Sequence, residues 1–206
     1  MVKQIMKLMC NKHSGELKSQ TTVEIIEYNQ SEINRLVDKA AGGDFEAFGN
    51  LYGIYLDRIY RYVRYQVKDS MTAEDITEEV FVKAWKAIRS CRGKGKTFSA
   101  WIYRIAHNHL INTLRTTKKC VSIETEDLTE FREPESAIDN ILDGQELSEL
   151  LTHLPQKQKQ VIILKFIEGM NNREIGKIMN KSEGAIRLLQ MRALTTLRQV
   201  IGGGRS

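Results

Sequence analysis

Apolar residues recur along most of this chain at intervals of three and four, the period of a helix with one buried face, and no stretch shows the sustained alternation of a strand. Ser31 is placed to cap a short helix running to Ala41, where Gly42 and Gly43 stop it. Asp44 caps a second helix with Phe45, Phe48, Leu51, Tyr52, Tyr55, Ile59 and Tyr62 along one face, an aromatic stripe that reads as core. A third helix spans about Thr72 to Arg89, with Ala73, Ile76, Val80, Ala84 and Ile88 inward and Phe81 and Trp85 flanking them. After a glycine-punctuated loop, Ser90 to Thr97, a fourth helix runs to about Thr116. The period then fails over residues 118–135, an acidic stretch with Pro134 near its end, and returns in a helix from Ser136 to about His153. Pro155 opens the next helix, and Leu147, Leu150, Leu151, Val161, Ile162, Leu164 and Phe166 supply a second apolar set. The pattern predicts an all-α fold: two small helical domains, 31–117 and 136–200, joined by an acidic linker. Residues 1–30 lack a sustained period and read as a mobile or loosely docked extension, and 201–206 as a flexible tail.

The last part of the pattern is more specific. Gly169 closes one helix, Asn171 or Asn172 caps a short one carrying Glu174, Ile175, Ile178 and Met179, and a turn follows at Asn180 and Lys181. Ser182 then caps a longer helix with Ala185, Ile186, Leu189 and Ala193 inward. A short helix, a tight turn at a residue that tolerates the left-handed conformation, and a second helix with a polar outer face make a helix-turn-helix, whose second helix can enter a major groove. Ser182, Glu183, Arg187, Gln190 and Arg192 are the candidates for bases and phosphates there, with Arg198 further along.

Charge divides the chain into blocks that its net +5 conceals. Phe81 to Lys119 contains no Asp or Glu while carrying ten Lys or Arg and two His. Asp69, Glu74, Asp75, Glu78 and Glu79 precede it, and Glu124, Glu126, Asp127, Glu130, Glu133 and Glu135 follow. At 100° per residue, Trp101, Arg104, Asn108, Asn112 and Arg115 share one face of the fourth helix, beside a core face of Phe98, Ile102, Ile105, Ala106, His109 and Thr113. Guanidiniums clamp phosphate or guanine, carboxamides match base edges and an indole stacks on bases, so this acid-free face suits nucleic acid. The competing reading is a solvated basic face with Trp101 partly in the core. Cys10, Cys91 and Cys120 are odd in number and widely spaced, which fits free thiols in a reducing compartment, and no metal site or cofactor is expected. No apolar run approaches the length of a membrane span, so membrane insertion is not expected and a cytoplasmic location is.

Taken together, Asp44 to Phe48 (DFEAF) with Leu51 and Tyr52, Ala73 to Trp85 (AEDITEEVFVKAW) and Phe98 to Asn108 (FSAWIYRIAHN) resemble the second region of bacterial RNA polymerase sigma factors. The resemblance is nearest to the extracytoplasmic-function (ECF) group, which keeps two folded domains. Leu154 to Arg198, with Glu174 and Ile175 and the run Gly184 to Arg187 (GAIR), is similar to that group's fourth region. It implies a sigma factor that binds core RNA polymerase, directs it to promoters and promotes strand opening. Asp75, Ile76, Glu78 and Glu79 would dock on the clamp of the largest polymerase subunit, and the fourth region on the flap of the second-largest. Arg92, Lys94 and Lys96 of the loop would hold the backbone of the opened minus-ten strand, with Trp101, Arg104, Asn108, Asn112 and Arg115 near its bases. The terminal helix-turn-helix would bind the minus-thirty-five duplex. An anti-sigma factor is a common partner in this group. The acidic linker is either an imitation of RNA in the polymerase's RNA path or a solvated tether.

The resemblance also marks departures. Glu78 stands where Gln is usual, Asn112 where Asp is commoner and Gly176 where Ala is common. Leu188, Leu189 and Leu194 replace residues of which one or two are usually basic, which implies a smaller salt-dependent phosphate contribution. A free-standing helix-turn-helix regulator is the alternative, and it leaves the acidic helix and the acid-free block without a task. A nucleic-acid enzyme would need carboxylates for metal-dependent phosphoryl chemistry, and the basic block has none.

Overall fold

The computed structural model describes residues 29–67, 69–91, 98–121 and 142–203, and every regular element among them is helical. In chain order these are α1 (Gln30–Ala41), α2 (Phe45–Arg64), α3 (Ser70–Ala87), a 3-10 turn (Ile88–Cys91) and α4 (Phe98–Val121). The carboxyl half holds α5 (Leu142–Thr152), α6 (Gln156–Ile162), a π turn (Ile163–Ile167), α7 (Asn172–Met179) and α8 (Glu183–Gly203). The linker expected over 118–135 begins inside α4, whose last turns reach Val121, and its remainder lies outside the described residues. So do the loop cations Arg92, Lys94 and Lys96, and the helix start expected at Ser136.

Helix starts follow their caps. Asn29, rather than Ser31, caps α1, its side chain accepting from the Glu32 amide while the Glu32 carboxylate accepts from the Asn29 amide. Asp44 accepts from the amides of Glu46 and Ala47 at 2.9 and 3.0 Å. Asp69, outside the expected span, accepts from the Thr72 amide at 2.8 Å and starts α3 two residues early. Each such cap stabilises its helix by about 0.5–2 kcal/mol relative to alanine.

The amino-terminal half is held by α2 meeting rings on α3 and α4. Phe45 and Phe48 contact Trp85 at centroid distances of 4.5 and 4.9 Å, Tyr52 contacts Phe81 at 4.7 Å, Tyr55 contacts Phe98 at 5.1 Å and Tyr62 contacts Tyr103 at 5.4 Å. Such pairs contribute about 0.5–1.5 kcal/mol each beyond the area they bury. Phe45, at the end of the stripe, is half exposed and lies on Trp85. The expected inner face of α3 is buried throughout, and Phe81 joins it completely.

In the carboxyl half, α8 packs on α6 and α7, and Leu151, Val161, Ile162, Leu164, Ile175, Ile178 and Ile186 are buried. Phe166, expected in that core, is 56% exposed. The cause is the π turn. The Glu168 amide donates to the Ile163 carbonyl five residues back, at 3.1 Å, so the extra residue rotates the face that follows. Phe166 swings outward and Glu168 inward. The halves touch directly: α7 lies along α4, and the buried side chains of both form one connected cluster.

Candidate nucleic-acid and partner interfaces

The α4 stripe is assembled as its spacing requires. Arg104, Asn108, Asn112 and Arg115 are exposed, and Trp101 is partly buried with its ring 5.5 Å from that of Phe98. Phe98, Ile102 and Ala106 anchor the opposite face. Ile105, His109 and Thr113 are only partly buried, whereas Tyr103 and Leu110, outside the expected core face, are completely so. A helix wheel drawn for one partner misses this, because α4 is covered from two sides: by α2 and α3, and by α7. The stripe survives between them as a row of polar side chains without a carboxylate.

On α3, Asp75 and Glu78 point into solvent. Ile76 does not: at 3% exposure it belongs to the core, which removes it from any docking surface. Asp75 and Ile76 are adjacent in sequence but about 100° apart around α3, enough to separate solvent from core. Glu79 is exposed but engaged. Its carboxylate meets His109 Nε2 at 3.0 Å and Lys83 Nζ at 3.3 Å, and Lys83 Nζ lies 2.6 Å from His109 Nδ1. A neutral His109 with its proton on Nε2 satisfies both contacts. Burial first, and the Lys83 charge second, lower the His109 pKa and favour that form, against the opposing pull of Glu79.

The helix-turn-helix is built around two backbone requirements. Asn180 takes the left-handed conformation (φ 53°, ψ 52°) and closes α7, with its amide and that of Lys181 donating to the Gly176 carbonyl. A Cβ on Gly176 would stand 2.7 Å from the Lys181 carbonyl oxygen, so the turn crosses α7 where only hydrogen fits. Asn171 caps α7 in a reciprocal pair with Glu174, and Ser182 accepts from the Ala185 amide at 3.2 Å to cap α8.

Of the expected duplex-facing residues, Ser182, Glu183, Arg187 and Arg192 are exposed and Gln190 is partly buried. Glu183 and Arg187 pair with each other at 2.7 Å, an exposed contact of small energetic weight that a phosphate can displace. Arg173, Lys177 and Lys181, absent from the expected set, line a shallow groove of about 490 Å³ with Gly176, Asn180, Ser182 and Glu183. Their spacing of four was the available signal, and these cations offset the deficit on α8. A second shallow groove of about 340 Å³ lies along α8 between Arg187, Gln190, Met191, Leu194, Thr195 and Arg198. Leu188 and Met191 are exposed beside it, while Leu189 and Leu194 pack against the core.

A helix-turn-helix together with an acid-free polar stripe fits the class of helical DNA-binding proteins. Similarity to known proteins then fixes the family. Residues 51–120 match Sigma-70 region 2 and residues 144–197 match Sigma-70 region 4. The ECF RNA polymerase sigma factor BldN of Streptomyces coelicolor is 32% identical over 177 residues, covering 84% of this chain and 67% of the relative. The ECF sigma factor SigW of Bacillus subtilis is 31% identical over 179 residues, covering 81% and 95%. Two solved structures share the fold: CnrH in complex with the cytosolic domain of CnrY (TM-score 0.64, 20% identity, 84% of this chain and 98% of that one), and the sigma factor RpoE of Bartonella quintana in complex with the anti-sigma factor NepR (TM-score 0.66, 21% identity, 75% and 96%). The chain belongs to the ECF group of RNA polymerase sigma factors, initiation factors that direct the polymerase to promoters.

Proposed function

We propose that this sigma factor docks on the clamp of the largest polymerase subunit through Asp75 and Glu78, with Glu79 joining only by exchanging its contacts with Lys83 and His109. The α4 stripe of Trp101, Arg104, Asn108, Asn112 and Arg115 holds the opened minus-ten strand, and Arg92, Lys94 and Lys96, outside the described residues, are assigned to the same strand. The duplex of the minus-thirty-five element lies against Ser182, Glu183, Arg187, Gln190 and Arg192 of α8, with Arg173, Lys177 and Lys181 on its phosphates. This division assigns 31–117 and 136–200 to the two promoter elements, and the fourth region to the polymerase flap.

The observation that carries the reading is the α4 stripe: cationic, amide-bearing and free of carboxylates along four turns, with Arg104, Asn108, Asn112 and Arg115 exposed and Trp101 partly so. Strand opening costs unstacking and unpairing, and stacking on an aromatic side chain returns about 1–3 kcal/mol per base. The chain itself breaks no bond; it favours the open promoter by binding it more tightly than the closed one. Its place of action is the cytoplasm, with the polymerase, and no helix among the described residues is long and apolar enough to cross a membrane. Sequestration by an anti-sigma factor is proposed as its control.

Run-off transcription with purified core polymerase and a library of promoter fragments tests the assignment. Specific starts that depend on the added chain are expected. A folded chain that neither joins core nor produces such starts would refute it.

A further inference from the structure

Glu168 follows the π turn of the carboxyl half, and its side chain is completely buried, yet every charged or hydroxyl partner shown for it belongs to the other half. Its carboxylate accepts a hydrogen bond from the Tyr103 hydroxyl of α4 and lies 3.4 Å from both Arg58 Nε and Arg61 Nη2 of α2. Beside it, Gln156 Nε2 donates to Gln66 Oε1 at 3.1 Å. Burial works against the Arg58 charge, but its neighbours, the Glu168 carboxylate among them, more than offset this and raise its pKa. A buried carboxylate matched only across an interface marks a contact made by closing two bodies together.

The promoter reading makes this closed form incompatible with the working one. Elements centred near positions minus ten and minus thirty-five are about 25 base pairs apart, roughly 85 Å at 3.4 Å per pair. Helices packed side by side, as α4 and α7 are, have axes about 8–10 Å apart. One chain cannot hold α4 on the first element and α7 with α8 on the second while the two remain in contact. The 20 residues between Val121 and Leu142 give the halves chain enough to part without either unfolding.

We infer that Glu168, with Arg58, Arg61 and Tyr103, is a latch that holds the chain in a compact, promoter-incompetent form. A carboxylate suits that task better than an apolar side chain. Burying it costs desolvation that the two guanidiniums repay with little to spare, so closure is favoured by only about tenfold, and on opening both sides regain water. The competent fraction is then reduced by the closed population, and partners that hold the halves apart release it.

This inference rests on the two-element reading, so its test has an arm that needs no promoter. Small-angle scattering of the full free chain gives its radius of gyration, about 17 Å for a compact chain of this length. Arg58→Ala with Arg61→Ala leaves the carboxylate unmatched, and Glu168→Lys sets a like charge against both arginines. Both variants should expand with unchanged helicity by circular dichroism, and should reach half-maximal run-off at about tenfold lower concentration than the unmodified chain. If Glu168→Lys loses helicity, the arginine pair decides, because those side chains are 39% and 47% exposed and sit outside the core. Unchanged dimensions overturn the latch; expansion without a gain in run-off overturns its inhibitory role. Expansion with no specific transcription from any version, the unmodified chain included, refutes the sigma assignment and with it the inhibition, leaving a closure contact only.

Discussion

Two glycines in one helix-turn-helix should respond to alanine with opposite signs. At Gly176 a Cβ would lie 2.7 Å from the Lys181 carbonyl oxygen, 3.8 Å from its carbon and 3.9 Å from the Glu183 nitrogen, all backbone. That oxygen cannot retreat freely, since the Lys181 and Asn180 amides are tied to the Gly176 carbonyl and Ser182 caps the next helix. Overpacking of this kind costs about 1–3 kcal/mol, against which alanine recovers about 0.8–1.0 kcal/mol of helix propensity. The net expectation for Gly176→Ala is a loss of about 1 kcal/mol. At Gly184, in the first turn of α8, nothing lies within 4 Å of the added carbon. Gly184→Ala therefore gains up to about 1 kcal/mol from propensity alone. Urea melts followed by circular dichroism measure both, and the two variants should bracket the unmodified chain, about 2 kcal/mol apart. If Gly176→Ala is stabilised as much as Gly184→Ala, the close crossing of turn and helix is wrong, and with it the physical reason for glycine at position 176.

Three further outcomes rest on particular side chains. Asp75→Lys with Glu78→Lys should weaken core binding at least about tenfold while leaving the melting temperature nearly unchanged, since both side chains are exposed; unaltered affinity in a pull-down titration removes α3 as the docking face. Replacing Arg173, Lys177 and Lys181 by alanine should lower the slope of log affinity for minus-thirty-five duplex against log salt by up to about 0.9 for each phosphate no longer neutralised, and an unchanged slope removes them from the backbone. His107, pushed down to about 4 chiefly by burial and secondarily by Lys181, stays neutral in the folded chain while an unfolded His titrates near 6.5. The unfolded state thus binds more protons between those values, so this group's stabilising contribution is complete above about pH 6.5 and falls by up to about 3 kcal/mol as pH drops to 4. His107→Gln should flatten that part of the stability profile, and an unchanged profile contradicts the assignment.

Helices, caps and inner faces were legible wherever a residue's neighbours in sequence are also its neighbours in space. Asp44, Asn171, Asn180 and Ser182 act locally, and the α4 stripe from Trp101 to Arg115 needs only the helical period. Legibility ends where a distant partner decides. Tyr103 is buried between Tyr62 of α2 and Glu168 of the carboxyl half, which a single-partner wheel cannot show, and Glu168 looks like an ordinary surface acid until the π turn rotates it toward Arg58 and Arg61. The same rotation exposes Phe166. Ile76 failed for the opposite reason: a motif names neighbours in sequence without saying which of them face solvent. Arg173, Lys177 and Lys181 escaped the sequence pattern because it points to the second helix of the pair, while the groove is made jointly with the first.

Promoter opening measured separately from core binding decides whether the outer face of α4 holds the opened minus-ten strand. Trp101→Ala with Asn108→Ala should leave core affinity within about twofold, abolish reactivity of minus-ten thymines to permanganate on duplex promoter, and recover transcription on a template already melted over that element. Opening that persists at the unmodified level, or that is lost in step with core affinity and is not recovered on the melted template, would contradict it.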